Sequence, residues 1–185
     1  MLIPLIILGV LLLLLGISYN GLVSKRNEAD KAFASIDTMA KKRYDLIPNL
    51  VATVQQYMQH ERQTLTEITE LRAKATSGNL SDEEKIALDG KISKAVSGIM
   101  VAVENYPDLK ASTNFMQLQG SLNEVEEQLS AARRFYNAAV TDLNNAIQMV
   151  PTNIVAAMFN FKTKKLFEIT EAERQNVDVK SLFNK

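Results

Sequence analysis

The sequence has no cysteine and no tryptophan, and it has only seven glycines and four prolines in 185 residues. The absence of cysteine excludes disulfide bonds, thiolate metal sites and a lipidated N-terminal cysteine, but it leaves oxidising and reducing compartments both open. No glycine-rich loop is present that would cradle a phosphate group. Few helix breakers, in a chain rich in Ala, Leu, Glu, Gln and Lys, are typical of a mostly helical protein.

An excess of charge of either sign is also missing, because 21 Lys and Arg balance 21 Asp and Glu. No overall field therefore favours nucleic acid, and the basic run 41–43 lacks the interleaved aromatics of a single-strand binding surface. The single histidine, His60, precedes Glu61 as in a zinc-binding helix, but the chain has no second histidine to complete that site. Carboxylates share their faces with Lys and Arg, which does not tune them for acid–base work. We expect no enzymatic activity, no cofactor, no metal and no nucleic-acid partner.

A long apolar run opens the chain. Residues 2–17 carry no polar side chain, and a helix extended to Val23 is about 33 Å long, enough to cross a bilayer core. We predict a transmembrane anchor at 1–23, with Tyr19 at the interface. Basic residues follow the run and none precedes it, which predicts a single-pass membrane protein with its N-terminus outside and its helical domain in the cytoplasm. A cleaved signal peptide is disfavoured because the basic n-region is missing.

The remaining chain predicts an all-α fold, an up-and-down bundle of long antiparallel helices over residues 24–167, followed by a polar C-terminal tail at 168–185. Apolar residues recur at heptad spacing from Leu22 to Ala75, with Pro48 in the middle of the run. If Pro48 breaks this helix, segments 22–47, 49–75, 82–105 and 111–150 form a four-helix bundle. If Pro48 only kinks it, a 54-residue arm packs against a returning arm, as an extended hairpin.

Two later segments have clear boundary signals. Ser81 to Glu84 predicts a capping box with acidic residues in the first turn of the 82–105 helix. The 111–150 helix repeats large apolar residues every seven positions and has a second row of smaller ones, while its charged residues, including Glu126, Arg133 and Arg134, are predicted to form the solvated face.

Four polar residues surround Pro48 within the apolar pattern: Arg43, Tyr44, Asp45 and Asn49. One interpretation is an internal network, in which Arg43 occupies a core position and pairs with a carboxylate of a neighbouring helix. The other is a recognition patch for a partner at the kink. The sequence leaves both open.

A second candidate group follows the last long helix and consists of Phe159, Phe161, Lys162, Lys164 and Lys165. Aromatic side chains that dip into an anionic bilayer, with lysines at the headgroups, are one hypothesis for this group. Ordinary packing within the bundle is the other.

These residues resemble the LemA family of bacterial membrane-anchored helical proteins, in order and over nearly the whole chain. The similar stretches are residues 19–23, 26–27, 32–37, 42–51, 60–61, 106–110, 115, 118–119, 132–133, 136–137 and 151. The most specific of them are RYDLIPNLV at 43–51 and YPDLK at 106–110. Phe33 departs from the pattern, since the family is associated with Trp there.

The resemblance implies an all-α bundle in a bacterial cell membrane, without established enzymatic activity. Relatives in the family are linked to magnetosome membranes, and they often accompany genes of membrane zinc proteases. Our first hypothesis is a single-span membrane protein whose domain self-associates as a homo-oligomer and scaffolds or shapes the bilayer. It is motivated by the uninterrupted junction from anchor to helix and by the small-residue row within 111–146. The alternative is a monomeric, membrane-tethered adaptor for a signalling partner or a membrane protease, a zinc metalloprotease by family association.

Overall fold

A computed structural model describes residues 2–78 and 80–167. Its six helices are α1 (Leu2–Val54), α2 (Arg62–Ala75), α3 (Asp82–Val103), α4 (Pro107–Lys110), α5 (Thr113–Gln148) and α6 (Thr152–Met158). The described residues contain no strand. The all-α prediction is confirmed, whereas the predicted tail at 168–185 lies outside the described residues.

Helix α1 runs without interruption through the apolar segment and into the domain, over about 80 Å. Pro48 lies inside this helix, which excludes the alternative in which it breaks the helix in two. The other alternative, a single helical arm that reaches Ala75, is wrong too, since α1 ends at Val54 and a turn precedes α2. Met58 lies in that turn and is buried in the same core cluster as Val54 and Leu65. The turn therefore preserves the apolar stripe, which explains why the heptad pattern did not reveal it.

The four longest helices run alternately up and down. Side-chain pairs establish the directions: Lys85 near the start of α3 meets Asp37, and Tyr106 beyond its end meets Glu61. Arg72, late in α2, reaches back to Tyr44. Helix α5 returns antiparallel to α1, so that Tyr136 lies against Phe33. This is the predicted up-and-down bundle.

The predicted boundary signals hold. Ser81 and Glu84 exchange hydrogen bonds in a capping box at the start of α3, and three acidic residues occupy its first turn. Helix α5 lies within two residues of its predicted bounds. Its small residue Ala139 is buried in one cluster with Ala29, Ala32 and Ala40 of α1. The neighbour that the small-residue row admits is therefore α1 of the same chain.

The helices do not all have the same reach. With 14 residues, α2 is much shorter than α1 and α5. Together with most of α3, it covers the part of the α1–α5 pair farther from the apolar segment. We call this four-helix part the far half. Nearer the apolar segment, in the near half, α6, the non-helical residues 159–167 and the first turns of α3 pack on α1 and α5. The two candidate groups from the sequence lie in different halves.

Candidate functional site

A buried polar cluster occupies the centre of the far half, where α1, α3 and α5 meet. It consists of Arg43, Asp89, Ser93, Glu126 and Arg133. Arg43 Nη1 donates to Ser93 Oγ at 2.6 Å and to Glu126 Oε2 at 3.1 Å, and its Nη2 donates to Asp89 Oδ1. Arg133 donates to Asp89 Oδ2 from Nε at 3.0 Å and from Nη2 at 2.6 Å. Asp89 thus joins the two guanidinium groups with one oxygen each.

The charges in this cluster balance. Arg43, Asp89 and Arg133 are 1%, 4% and 7% exposed, and the side chain of Glu126, at 42%, reaches the surface. Burial disfavours the charged guanidinium of Arg43, but Asp89 and Glu126 outweigh it and raise its pKa above the ordinary value. Two buried cations therefore face two anions, of which Asp89 is buried and Glu126 is partly exposed. Such a set fixes the register of three helices, but it leaves no charge over for a ligand.

A second polar contact solves the problem that Pro48 creates. Proline has no N–H, so the carbonyl of Tyr44, four residues earlier, loses its helical hydrogen bond. Arg72 of α2 supplies the replacement, with its Nε donating to that carbonyl at 2.8 Å. The neighbouring helix therefore completes α1 at the proline, and α1 continues to Val54.

The four residues predicted around Pro48 do not form one patch. Arg43 points into the core, and the half-buried Tyr44 ring lies 5.8 Å from its guanidinium. Burial, above all, raises the pKa of the Tyr44 phenol. Asp45 and Asn49 are exposed on the outer face, where Asp45 pairs with Lys41 at 2.9 Å. The structure thus brings Arg43 and Tyr44 together and separates both from Asp45 and Asn49.

Sequence reasoning missed most of Arg43's partners. The prediction that Arg133 belongs to the solvated face of α5 is wrong, because Arg133 is buried. A weak signal was available for Asp89, which directly follows Leu88 and precedes Ile92 by one turn, on the apolar side of α3. Nothing in the pattern of α2 marked Arg72 as the partner of the Tyr44 carbonyl.

The second predicted group, in the near half, is divided as well. Lys164 is held inside the chain by Asp30 at 2.7 Å and Asp82 at 3.6 Å. Phe161 is half-buried, with the guanidinium of Arg26 5.4 Å from its ring centroid. Phe159, Lys162 and Lys165 are exposed.

Residues 159–167 form a non-helical strap over α1 and α5. Two asparagines of α5 bind the backbone of the strap, each through both the oxygen and the nitrogen of its side-chain amide. Asn144 accepts from Lys164 N and donates to Lys164 O, and Asn137 accepts from Phe167 N and donates to Phe167 O, all at 2.8–2.9 Å. Tyr136 Oη donates to the carbonyl of Lys165 at 3.0 Å. Burial, followed by nearby carboxylates, raises the pKa of Tyr136 to about 12, so this donor keeps its proton at neutral pH.

The strap also completes the near-half core. The rings of Phe33, Tyr136 and Phe167 contact one another, with centroids 5.4–6.3 Å apart. Phe33, the residue that departs from the family pattern, is thus one member of a three-ring cluster. A half-open cavity of about 420 Å³ beside the strap is lined by residues of both charges, including Arg26, Asp82, Glu83 and Lys162. Its mixed lining selects no ligand charge.

Among the described helices, only α1 contains a stretch long and apolar enough to cross a membrane. This stretch lies at the start of the helix, and the bundle buries none of it. This feature and the helical domain fit a membrane-anchored protein.

Comparison with known proteins agrees with this architecture. The model of the LemA family matches residues 32–181. Protein LemA of Metamycoplasma hominis is 28% identical over 165 residues, which cover 89% of this chain and 75% of that protein. Magnetosome protein MamQ 2 of Paramagnetospirillum magneticum is 30% identical over 83 residues, 45% of this chain and 30% of its own. Magnetosome protein MamQ of Magnetospirillum gryphiswaldense is 21% identical over 174 residues, 80% of this chain and 64% of its own.

This chain therefore spans less than two thirds of the length of either magnetosome protein, and none of the three names denotes an enzyme. The family match covers most of the chain and includes the buried cluster, the Pro48 segment and the strap. The chain belongs to the LemA family.

Proposed function

We propose that this protein is a non-enzymatic, single-span membrane scaffold whose helical domain lies in the cytoplasm and which acts as a homo-oligomer. The continuity of α1 carries the proposal. One helix forms both the apolar segment and the core of the bundle, where its first fully buried residue is Leu22. No flexible linker separates the two, so a force or an orientation at the bilayer is transmitted directly to the domain.

The far half supports a structural role more than a chemical one. The ionisable groups of its buried cluster are bound to one another, and their charges cancel within the chain. A site for acid–base chemistry needs a carboxyl group poised near neutral pH and open to a substrate. Both carboxylate oxygens of Asp89 are instead paired with arginines, an arrangement that fixes the register of the helices.

Self-association is supported by the surface of the apolar segment rather than by the small residues of α5, which are used internally. A shallow groove on α1 is lined by Gly9, Leu12, Leu13, Gly16, Ile17 and Asn20. A Cβ added at Gly9 or Gly16 would meet no atom within 4 Å, so the groove is open. Small residues on one face of a membrane helix permit close helix–helix approach, and polar residues can hydrogen bond across such a contact.

Native mass spectrometry of the full chain in detergent, over a range of concentrations, tests the oligomer. We expect a defined oligomer that Gly16→Ile weakens, because the new side chain fills the groove. Leu14→Ile is the matched control, since it ends in the same residue on the opposite face of α1 and should leave the oligomer intact. A monomer at all concentrations would contradict self-association, and equal effects of both variants would exclude the groove.

Orientation is tested separately with single cysteines in a chain that has none of its own. In intact cells, an impermeant thiol reagent should label a cysteine inserted between Met1 and Leu2 and leave Ser77→Cys unlabelled. The opposite pattern would reverse the proposed topology.

A second candidate function is a monomeric adaptor for a signalling partner or a membrane protease, a zinc metalloprotease being the class that the family resemblance points to. It is favoured by one observation: Asp45 and Asn49 remain exposed one turn apart on the outer face of α1. A photoreactive residue at Asn49 should then crosslink to another protein in membranes, whereas the same residue at the exposed Asn145 should not. Labelling confined to the chain's own residues at both positions would argue against the adaptor.

A further inference from the structure

The near half leaves a group of large apolar side chains exposed around α6. We call this group the foot; its members are Met149, Val150, Ile154, Met158 and Phe159. Each is between 55% and 79% exposed. Val155 and Ala156, on the other side of the same short helix, are buried. The foot is thus the outer face of an element whose inner face is packed on the bundle.

The contacts of that inner face fix the level of the foot relative to the apolar segment. Val155 and Ala156 form a cluster with Leu22, and Leu15 packs against this cluster. Leu15 belongs to the apolar run 2–17, so α6 reaches back along α1 to the last turns of that run. The ring of Phe159 lies 4.7 Å from that of Tyr19, the residue expected at the bilayer interface. The foot therefore lies at the level where the apolar segment ends.

We propose that the foot is a second membrane contact, which inserts its apolar side chains into the interfacial layer of the same bilayer that α1 crosses. The occupant is the lipid surface, because the packing of α6 on Leu15 and Leu22 places the foot at that depth once α1 spans the membrane. Short apolar faces at this level bind by burying area in the headgroup and acyl boundary. This inference rests on the proposed membrane anchoring and adds to it a particular lipid-binding surface.

The neighbouring charges fit this placement. Lys162 and Lys165 follow the foot on the exposed side of the strap, and the exposed Arg26 lies about two helical turns beyond Tyr19 on α1. Cationic side chains beside an apolar face are attracted to anionic headgroups within a Debye length. The foot differs from the contact predicted from sequence, because Phe161 and Lys164 are held within the chain and α6 supplies the apolar side chains instead.

A second contact changes what the anchor does. A single spanning helix fixes the depth of a domain but not its tilt or rotation, which neighbouring contacts and interfacial anchors determine. With the foot also inserted, the bundle can neither rotate about the axis of α1 nor tilt its near half away from the membrane surface. The scaffold would then present one defined face of the far half to its surroundings.

The absence of tryptophan makes a direct test possible. Single tryptophans are introduced into the full chain as Ile154→Trp and Met158→Trp. Met116→Trp is the control, because Met116 lies at the end of α5 distant from the apolar segment and its side chain is also exposed, at 52%. Each variant is reconstituted at a high lipid-to-protein ratio in vesicles of phosphatidylcholine and phosphatidylglycerol. Emission is measured with ordinary lipid, with lipid brominated near the top of its acyl chains, and with an aqueous quencher.

We expect Ile154→Trp and Met158→Trp to emit at shorter wavelength than Met116→Trp, to be quenched several-fold more by brominated lipid, and to be shielded from the aqueous quencher. Emission like that of Met116→Trp would overturn the foot. A blue shift without quenching by brominated lipid would overturn it too, because a second copy of the chain would then cover α6. A tryptophan at Leu12 tests the anchor itself: if Leu12→Trp is quenched by brominated lipid and the foot variants are not, the foot fails while the anchoring stands.

Discussion

The two halves of the bundle close their interiors in different ways. In the far half, α1, α3 and α5 meet around a cluster of charged side chains whose charges cancel, and Arg72 of α2 pairs with the carbonyl that Pro48 leaves without a helical donor. In the near half α1 and α5 are covered by the strap, α6 and the first turns of α3, and large apolar side chains stay exposed at the end next to the apolar segment.

The difference separates two tasks. A buried ionic cluster contributes little net stability compared with apolar packing, but it penalises every register in which its members are unpaired. Exposed apolar side chains contribute nothing to the fold in water and become favourable only when something covers them. The far half therefore specifies the structure, and the near half supplies the apolar surface on which the proposed bilayer contact rests.

The largest expected effect is in the far half, at Asp89. Asp89→Ala leaves two buried guanidinium groups with only Glu126, Ser93 and the backbone carbonyl of residue 89. Removing one partner of a buried ion pair typically costs about 3–5 kcal/mol of unfolding free energy. Urea unfolding of the full chain in detergent, followed by circular dichroism, measures this loss. Asp45→Ala is the control, since its exposed pair with Lys41 is worth about 0–1 kcal/mol. Similar losses for the two variants would show that the cluster does not hold the far half together.

The next effect concerns the carbonyl that Pro48 leaves without a helical donor. Arg72→Ala removes a charged hydrogen bond to Tyr44 O and should lower the unfolding free energy by about 1.5–3 kcal/mol. In a Pro48→Ala background the helix regains its own N–H donor at position 48, so the same Arg72→Ala change should cost less. A double-mutant cycle measures the coupling between the two positions. A coupling near zero would mean that Arg72 acts through packing of its aliphatic stem alone.

These two sites mark how far the sequence could predict the structure. The heptads of α5 gave its bounds to within two residues, because large apolar residues at that spacing must all be buried on one face. Arg43 was identifiable for the same reason, as a charge in a core position. Its partners were not, since which helices face each other depends on the whole assembly, and a charged residue such as Arg133 is by default expected at the surface. The end of α1 at Val54 escaped prediction because Met58 continues the apolar stripe through a turn that contains no breaker.

The smallest expected effect is in the near half and is local. Asn144→Ala removes two hydrogen bonds to the backbone of Lys164, each worth about 0.5–1.5 kcal/mol, and leaves the four-helix part untouched. Since the strap lies at the edge of the fold, we expect faster hydrogen exchange at Lys164 and Phe167, with little change at amides around Arg43. Asn145→Ala, the same substitution at the exposed neighbouring position, should change neither. If Asn144→Ala instead sped hydrogen exchange equally in both halves, the strap and the far half would unfold as one cooperative unit. The foot, which directly precedes the strap in the chain, could then not respond to the membrane independently of the buried cluster.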